Sequence, residues 1–460
     1  MQDRAEGKRW MSKLRDDFLW GGAVTAHQTE GAYDLDGKVP AVCDLLATPG
    51  KSTFKEGIDS YHRFDEDFAL LEKLGVQCFR FSVDWSRIAP DGKTINEKGL
   101  EFYDRFLDSM IAHHIEPMCS LYHFEMPLSL MEKKNGFYSR EVTEDFVKLS
   151  EMLIDRWHDK IKLWISFNEQ NSIGQLGSKK TAYGALKPED VSEEAFVSQL
   201  VHNTFVAHAK IARKVHSYLD LKILGMVIYI PVYPLTCAPE DQLHARNEMA
   251  NQEMYFDMFA HGRYSNYMLA KWKKEKAMPV MEEGDLELLE NNTCDWLSFS
   301  YYFSTVTAGS DPSVNMDGNA TMAKNPYLQA SEFGWQIDPI GMELALLDLE
   351  AKYHMPVMVV ENGYGAHDEV VDGQILDDYR IDYMRDHIQA IKNAVAKGSD
   401  VRGYLMWAPI DILSSHADMD KRYGVVYVNR DNHDLKDMKR IPKKSFAWFQ
   451  NVIASNGETL

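Results

Sequence analysis

Met355-Pro356-Val357-Met358-Val359-Val360-Glu361-Asn362-Gly363-Tyr364-Gly365 is the stretch on which the reading of the fold turns. Its apolar run, β-branched at Val357, Val359 and Val360, shows no polar alternation. It therefore reads as a strand buried on both faces, as in a parallel sheet covered by helices. The run stops at a carboxylate followed by Asn-Gly and a second glycine. Taken alone, Glu361 is equally well a polar stop at a strand end. The pattern recurs, however: Ile161 to Phe167 ends in Asn168-Glu169, and Gln77 to Val83 ends in Asp84-Trp85-Ser86-Arg87. Polar and reactive groups collect at the C-terminal ends of buried strands.

Working outward, strand-like runs alternate with helical ones along the whole chain. Phe18 to Val24 leads into Thr25-Ala26-His27-Gln28-Thr29-Glu30-Gly31, and Tyr61, Phe64, Phe68 and Leu71 then recur at helical spacing before Gly75 ends the helix. Further helices are predicted over 193–218, 241–259, 343–353, 378–395 and 445–453. Counted by their last residues, the strands end at Val24, Val83, Leu121, Phe167, Ile228, Ser300, Val360 and Trp407. Alternating βα units in that number, with no linker between them, predict an α/β chain folded as one closed (β/α)8 TIM barrel. Residues 1–13 read as a mobile leader, and 14–460 as a single catalytic domain. The longest irregular piece, Ser304 to Asp338, should lie on the catalytic face.

Composition narrows the function. The 460 residues carry 50 Lys+Arg against 70 Asp+Glu, a net charge of −20 that speaks against a nucleic-acid or anionic-membrane surface. An anionic ligand would need a local basic pocket. The five cysteines form no CxxC pair and no apolar run reaches membrane-spanning length, so a cytoplasmic enzyme is expected, with no membrane partner. The sequence leaves the oligomeric state open.

In such a barrel Glu169 and Glu361 would face one cavity from the fourth and seventh strands. Two carboxylates on one pocket are the minimum equipment for breaking a glycosidic bond, one protonating the leaving oxygen while the other attacks or activates water. The competing use of paired acids is metal binding. The chain has no HExxH motif, and its His and Glu positions do not cluster at ligand spacing, so neither a metal nor another cofactor is expected.

With these residues in view, the chain resembles glycoside hydrolase family 1, the retaining β-glycosidases. Asn168-Glu169 is similar to the family's acid/base motif, and Val359-Val360-Glu361-Asn362-Gly363 to its nucleophile motif. The resemblance runs from Phe18-Leu19-Trp20-Gly21 through Lys444-Ser445-Phe446. It implies sugar contacts for Gln28, with Glu30-Gly31 completing the Gln-x-Glu-Gly motif, and for His123, Asn168 and Trp407. It also implies an aglycone-side role for Trp335 and places Arg80 and Tyr302 beside the nucleophile. These assignments have physical reasons: amides and imidazole match sugar hydroxyls, indole faces match C–H groups, and a guanidinium beside a carboxylate keeps it ionised. The chain departs from the pattern at Gln170, where many β-glucosidases have Pro, and at Ser300, where they commonly have Asn.

A second departure is more informative. In plain β-glucosidases a Glu stands seven residues after the tryptophan; here that residue is Ser414. Ser414, Lys421 and Tyr423 resemble the phosphate site of the family's 6-phospho-β-glycosidases, in which a carboxylate that would repel an anionic sugar is replaced by a hydroxyl, an ammonium and a phenol. Ser415 stands where phospho-β-galactosidases carry Trp, which implies preference for the gluco epimer. The expected activity is thus retaining hydrolysis of a small 6-phospho-β-glucoside. A 6-phospho-β-galactosidase, an unphosphorylated β-glucosidase and a catalytically silent sugar-phosphate-binding barrel are the alternatives.

Overall fold

The structure is a computed structural model that describes residues 13–174, 178–311 and 324–460. Nearly all of the expected leader, and residues 312–323 of the long irregular piece, lie outside the described residues.

Eight parallel strands close into a barrel. They are β1 (Leu19–Ala23), β2 (Cys78–Ser82), β3 (Glu116–Ser120), β4 (Leu163–Ile165), β5 (Lys222–Ile228), β6 (Trp296–Tyr301), β7 (Val357–Asn362) and β8 (Val401–Trp407). Each pairs with its neighbours in chain order, and β8 returns to β1 with Ala23 opposite Trp407. Every predicted strand is present, with its end within two residues of the predicted one. The strands are buried almost throughout, because helices cover the outer face while side chains fill the interior.

The helices follow the periodicity. Ser60–Leu74 buries Tyr61, Phe68 and Leu71 and ends at Gly75, whose φ of 90° supplies the left-handed cap that a residue with a β-carbon adopts at a cost. Glu193–Val215, Pro239–His261, Pro339–Tyr353, Asp378–Ala396 and Lys444–Ala454 occupy the other predicted positions. Among the described residues no helix is long and apolar enough to cross a membrane.

One feature of the barrel was not readable from the apolar runs. Phe299 and Ser300 of β6 pair with Val359 and Glu361 of β7, and Tyr404 and Met406 of β8 pair with Val359 and Asn362. Against both neighbours β7 therefore carries one extra residue between Val359 and Asn362. Such a bulge changes which side chains a strand end presents, and it lies beside Glu361.

Candidate active site

Glu361, buried near the end of β7, receives two donors. Arg80, fully buried in β2, pairs with its Oε1, and the Tyr302 hydroxyl donates to Oε2 at 2.8 Å. The remaining donors of Arg80 go to the Ser120 hydroxyl (2.8 Å) and to Asn168 Oδ1 (2.7 Å). One guanidinium thus ties β2, β3, β4 and β7 together at the barrel mouth. Burial pushes the Glu361 carboxyl up, and the charge of Arg80 together with the phenol pulls against that rise. The residues after it are scaffolding. Asn362 exchanges hydrogen bonds with Tyr301, Tyr383 and Tyr404, and a β-carbon on Gly363 would fall 1.8 Å from the Trp407 carbonyl oxygen. Glycine is required there so that β7 and β8 can approach at the pocket floor.

Glu169 follows β4 in left-handed backbone, φ 38°. It lies near enough to Glu361 for the two charges to oppose each other. Desolvation, and then the charge of Glu361, push its carboxyl up to about 8. Arg80 acts on it only from a distance, and its hydrogen bond comes from Ser300, a neutral donor. The pair is therefore asymmetric: the strong donors converge on Glu361, and Glu169 is left to hold a proton near neutral pH.

The other predicted sugar-contacting residues surround this pair to different degrees. Asn168 points its carbonyl at Arg80, and its NH2 makes no hydrogen bond among the described residues. His123 is buried beside Trp407 with ring centroids 6.1 Å apart, and its Nδ1 has no hydrogen-bond partner among the described residues. Burial, with Arg80 and His27 nearby, holds it well below the usual imidazole range, so it is neutral. Gln28 is buried on the short helical turn after β1 and donates to the Leu413 carbonyl at 2.6 Å, a bond that reaches the loop after β8. Trp335 packs on Tyr302 at 5.1 Å, which brings that part of the irregular piece onto the catalytic face as expected.

Glu30, which completes the motif with Gln28, has its carboxylate buried against Arg87 (3.1 Å) and the Tyr103 hydroxyl (2.5 Å). It braces the loop after β1 and makes no hydrogen bond to the residues of the pocket. Glu125, to which sequence reasoning assigns no role, is fully buried, receives the Ser82 hydroxyl and the backbone N–H of His123, and pairs with His27. It fixes the backbone that carries His123.

The loop from Pro409 to Gly424 carries the distal residues, and a dense buried charge cluster anchors it. Asp411 meets Arg422 (3.1 Å), Lys443 (2.6 Å) and the backbone N–H of Gly424 (2.8 Å). Lys421 and Tyr423 flank Arg422 and point elsewhere. The Lys421 ammonium makes no hydrogen bond or ion pair among the described residues; it lies 3.4 Å from the Trp335 ring centroid and within 6 Å of Phe333 and Tyr423. Burial pulls it down to about 8, against the charge of Asp418. The Tyr423 side chain is buried and its hydroxyl bonds no described residue. Ser414 is buried, and its oxygen accepts the backbone N–H groups of His416 and Asp418, which leaves its proton to donate. Ser415 is exposed, with no side-chain hydrogen bond among the described residues.

Among the described residues no group of three or more His, Cys, Asp or Glu side chains is arranged to hold a metal ion. A closed (β/α)8 barrel with a desolvated carboxyl and a guanidinium-held carboxylate at its C-terminal mouth is the architecture of a glycoside hydrolase. The comparisons agree. The family profile "Glycosyl hydrolase family 1" matches residues 10–458, and the chain belongs to that family. It is 41% identical to the aryl-phospho-β-D-glucosidase BglH of Bacillus subtilis, over 97% of this chain and 99% of the relative. It is 39% identical to a phospho-cellobiase of Klebsiella oxytoca, over 98% of this chain and 100% of the relative. Among solved structures it is similar to a family 1 β-glucosidase from Thermotoga maritima, with a TM-score of 0.85 and 29% identity over 97% of this chain and 99% of that one.

Proposed function

We propose that the protein hydrolyses 6-phospho-β-glucosides with retention of configuration, with Glu361 as nucleophile and Glu169 as acid and then base. Glu169 gives its proton to the glycosidic oxygen as Glu361 attacks the anomeric carbon; water then replaces Glu361 after losing a proton to Glu169. His123, Gln28, Asn168 and Trp407 hold the sugar ring in this reading, and Trp335 meets the aglycone. Ser414, Lys421 and Tyr423 hold the phosphate.

The observation that carries the phosphate assignment is Lys421. In a chain with net charge −20, its ammonium lies at the catalytic face with aromatic rings around it and, among the described residues, no carboxylate bonded to it. A half-buried cation without a counter-ion is a site built for an anion. The names of the phospho-β-glucosidase and phospho-cellobiase relatives point the same way. We further infer that residues 14–460 act as one catalytic domain. We also place the enzyme in the cytoplasm, where its five free thiols would stay reduced and a sugar phosphate is retained by its charge.

The test is turnover of matched chromogenic 6-phospho-β-glucoside, 6-phospho-β-galactoside and unphosphorylated β-glucoside. The phosphoglucoside is expected to have the highest kcat/KM. A higher value for the unphosphorylated glucoside overturns the phosphate assignment, and a higher value for the phosphogalactoside reverses the epimer.

A further inference from the structure

Ser300 stands between the two carboxylates. It is fully buried in β6, its register partner on β7 is Glu361, its partner on β5 is Ile228, and its carbonyl accepts the backbone N–H of Tyr229 at 2.9 Å. Its backbone is thus held on both sides. Its hydroxyl donates to Glu169 Oε1 across the mouth. This is the only hydrogen bond to the Glu169 carboxylate among the described residues. The guanidinium and the phenol nearby are committed elsewhere: Arg80 to Glu361, Asn168 and Ser120, and Tyr302 to Glu361.

We propose that Ser300 is the positioning residue for the acid/base, holding Glu169 by Oε1 so that Oε2 faces the glycosidic oxygen in the first step and the attacking water in the second. The inference rests on the hydrolytic reading above. The chemistry asks for a donor of this kind. A cation on Glu169 would keep it ionised and unable to protonate the leaving group. No donor at all would leave the side chain free to rotate and its carboxylate poorly stabilised when it must serve as a base. A hydroxyl can donate to Oε1 in both protonation states, because the transferred proton travels on Oε2 and Ser300 keeps its own throughout.

The charged and titratable groups that act on Glu169 are Glu361 on β7 and Arg80 on β2, with the phenols of Tyr302 after β6 and Tyr183 in the loop after β4. None of these is altered by changing Ser300, so its contribution can be read separately. A hydrogen bond to the carboxylate favours the ionised form, and losing it must raise the pH at which Glu169 gives up its proton.

The experiment is the pH profile of kcat/KM for the phosphoglucoside in a Lys421→Arg background, whose cation stays charged throughout the range, with Ser300 unchanged and as Ser300→Ala, Ser300→Thr and Ser300→Cys. Ser300→Ala is expected to move the alkaline limb up by about 0.5 to 1 pH unit, the equivalent of one ordinary hydrogen bond, and to leave the acid limb in place. Ser300→Thr keeps the hydroxyl and should leave the alkaline limb where it is. Should Ser300→Ala fail to fold, Ser300→Cys, close in size with a weaker donor, must shift the limb in the same direction. An alkaline limb that stays or falls in the variant lacking the hydroxyl, or a threonine variant that shifts as alanine does, overturns the assignment. Failure of the hydrolytic reading would be seen separately, as absence of turnover or an inverted product from the unmutated enzyme.

Discussion

Gly365 lies directly against Lys421: a β-carbon at Gly365 would stand 2.6 Å from Lys421 Cε and 3.1 Å from Tyr423 Cε1. The segment that follows Glu361 therefore makes the room in which the ammonium sits, so the reactive end of β7 and the proposed phosphate site share one wall. What the β-carbon meets first is the far end of a flexible side chain, so the barrel can keep its fold while Lys421 moves.

From this contact, Gly365→Ala is expected to raise KM for the phosphoglucoside by about tenfold or more, the scale of one displaced charged contact. Its kcat should change little, and turnover of the unphosphorylated glucoside should be unaffected. Steady-state kinetics on the matched pair check this. Equal losses on both substrates would mean that the substitution distorts the carboxylates instead.

The ammonium also predicts a pH dependence. With Lys421 pulled down to about 8, it is charged below that pH and loses its proton as pH rises through it. KM for the phosphorylated substrate should therefore climb above about pH 8. Lys421→Arg, charged throughout the range, should abolish that rise. Glu169, also at about 8, imposes its own alkaline loss on every substrate. The Lys421 effect is thus identified by appearing in KM and only with the phosphate present.

The barrel was legible because a parallel strand buried on both faces announces itself as an uninterrupted apolar run, and the polar groups that end such runs mark the catalytic mouth. The same uniform apolarity hid the bulge before Glu361, since a strand with no polar face carries no alternation whose break would show an extra residue. Motif spacing does not report direction: the helical turn Ala26–Thr29 sends Gln28 toward Leu413 and Glu30 toward Arg87. The aromatic surroundings of Lys421 come from Phe333 and Trp335, nearly ninety residues earlier, and the fold alone brings them together. Ser300 was visible only as a departure from a family pattern, and its contact with Glu169 gives that departure a meaning.

For the carboxylates, Glu361→Gly is expected to abolish hydrolysis, because no other group among those at the mouth is placed to attack the anomeric carbon. Glu169→Ala should spare the first step for aryl glycosides with good leaving groups, which need no proton, and then stall at the intermediate. Burst kinetics would show that stall. NMR of the first product should show the β-anomer, and an α-anomer would rule out retention.

Ser415 yields the last prediction. It is exposed at the edge of the loop whose buried neighbour Ser414 is fixed by the N–H groups of His416 and Asp418. A larger side chain at 415 therefore has space to enter without disturbing Ser414. With serine there, no indole N–H is offered to an axial 4-hydroxyl, and an equatorial hydroxyl is left unobstructed. A difference of this kind is worth about 1 to 3 kcal/mol, so the phosphoglucoside should be preferred over the phosphogalactoside by roughly ten- to two-hundredfold rather than absolutely. Ser415→Trp should narrow the ratio by improving the galacto substrate. Measured kcat/KM values on the two phosphorylated epimers decide it: a ratio that Trp leaves unchanged would move the epimer choice from Ser415 to the residues around the ring, beginning with Gln28 and Trp407.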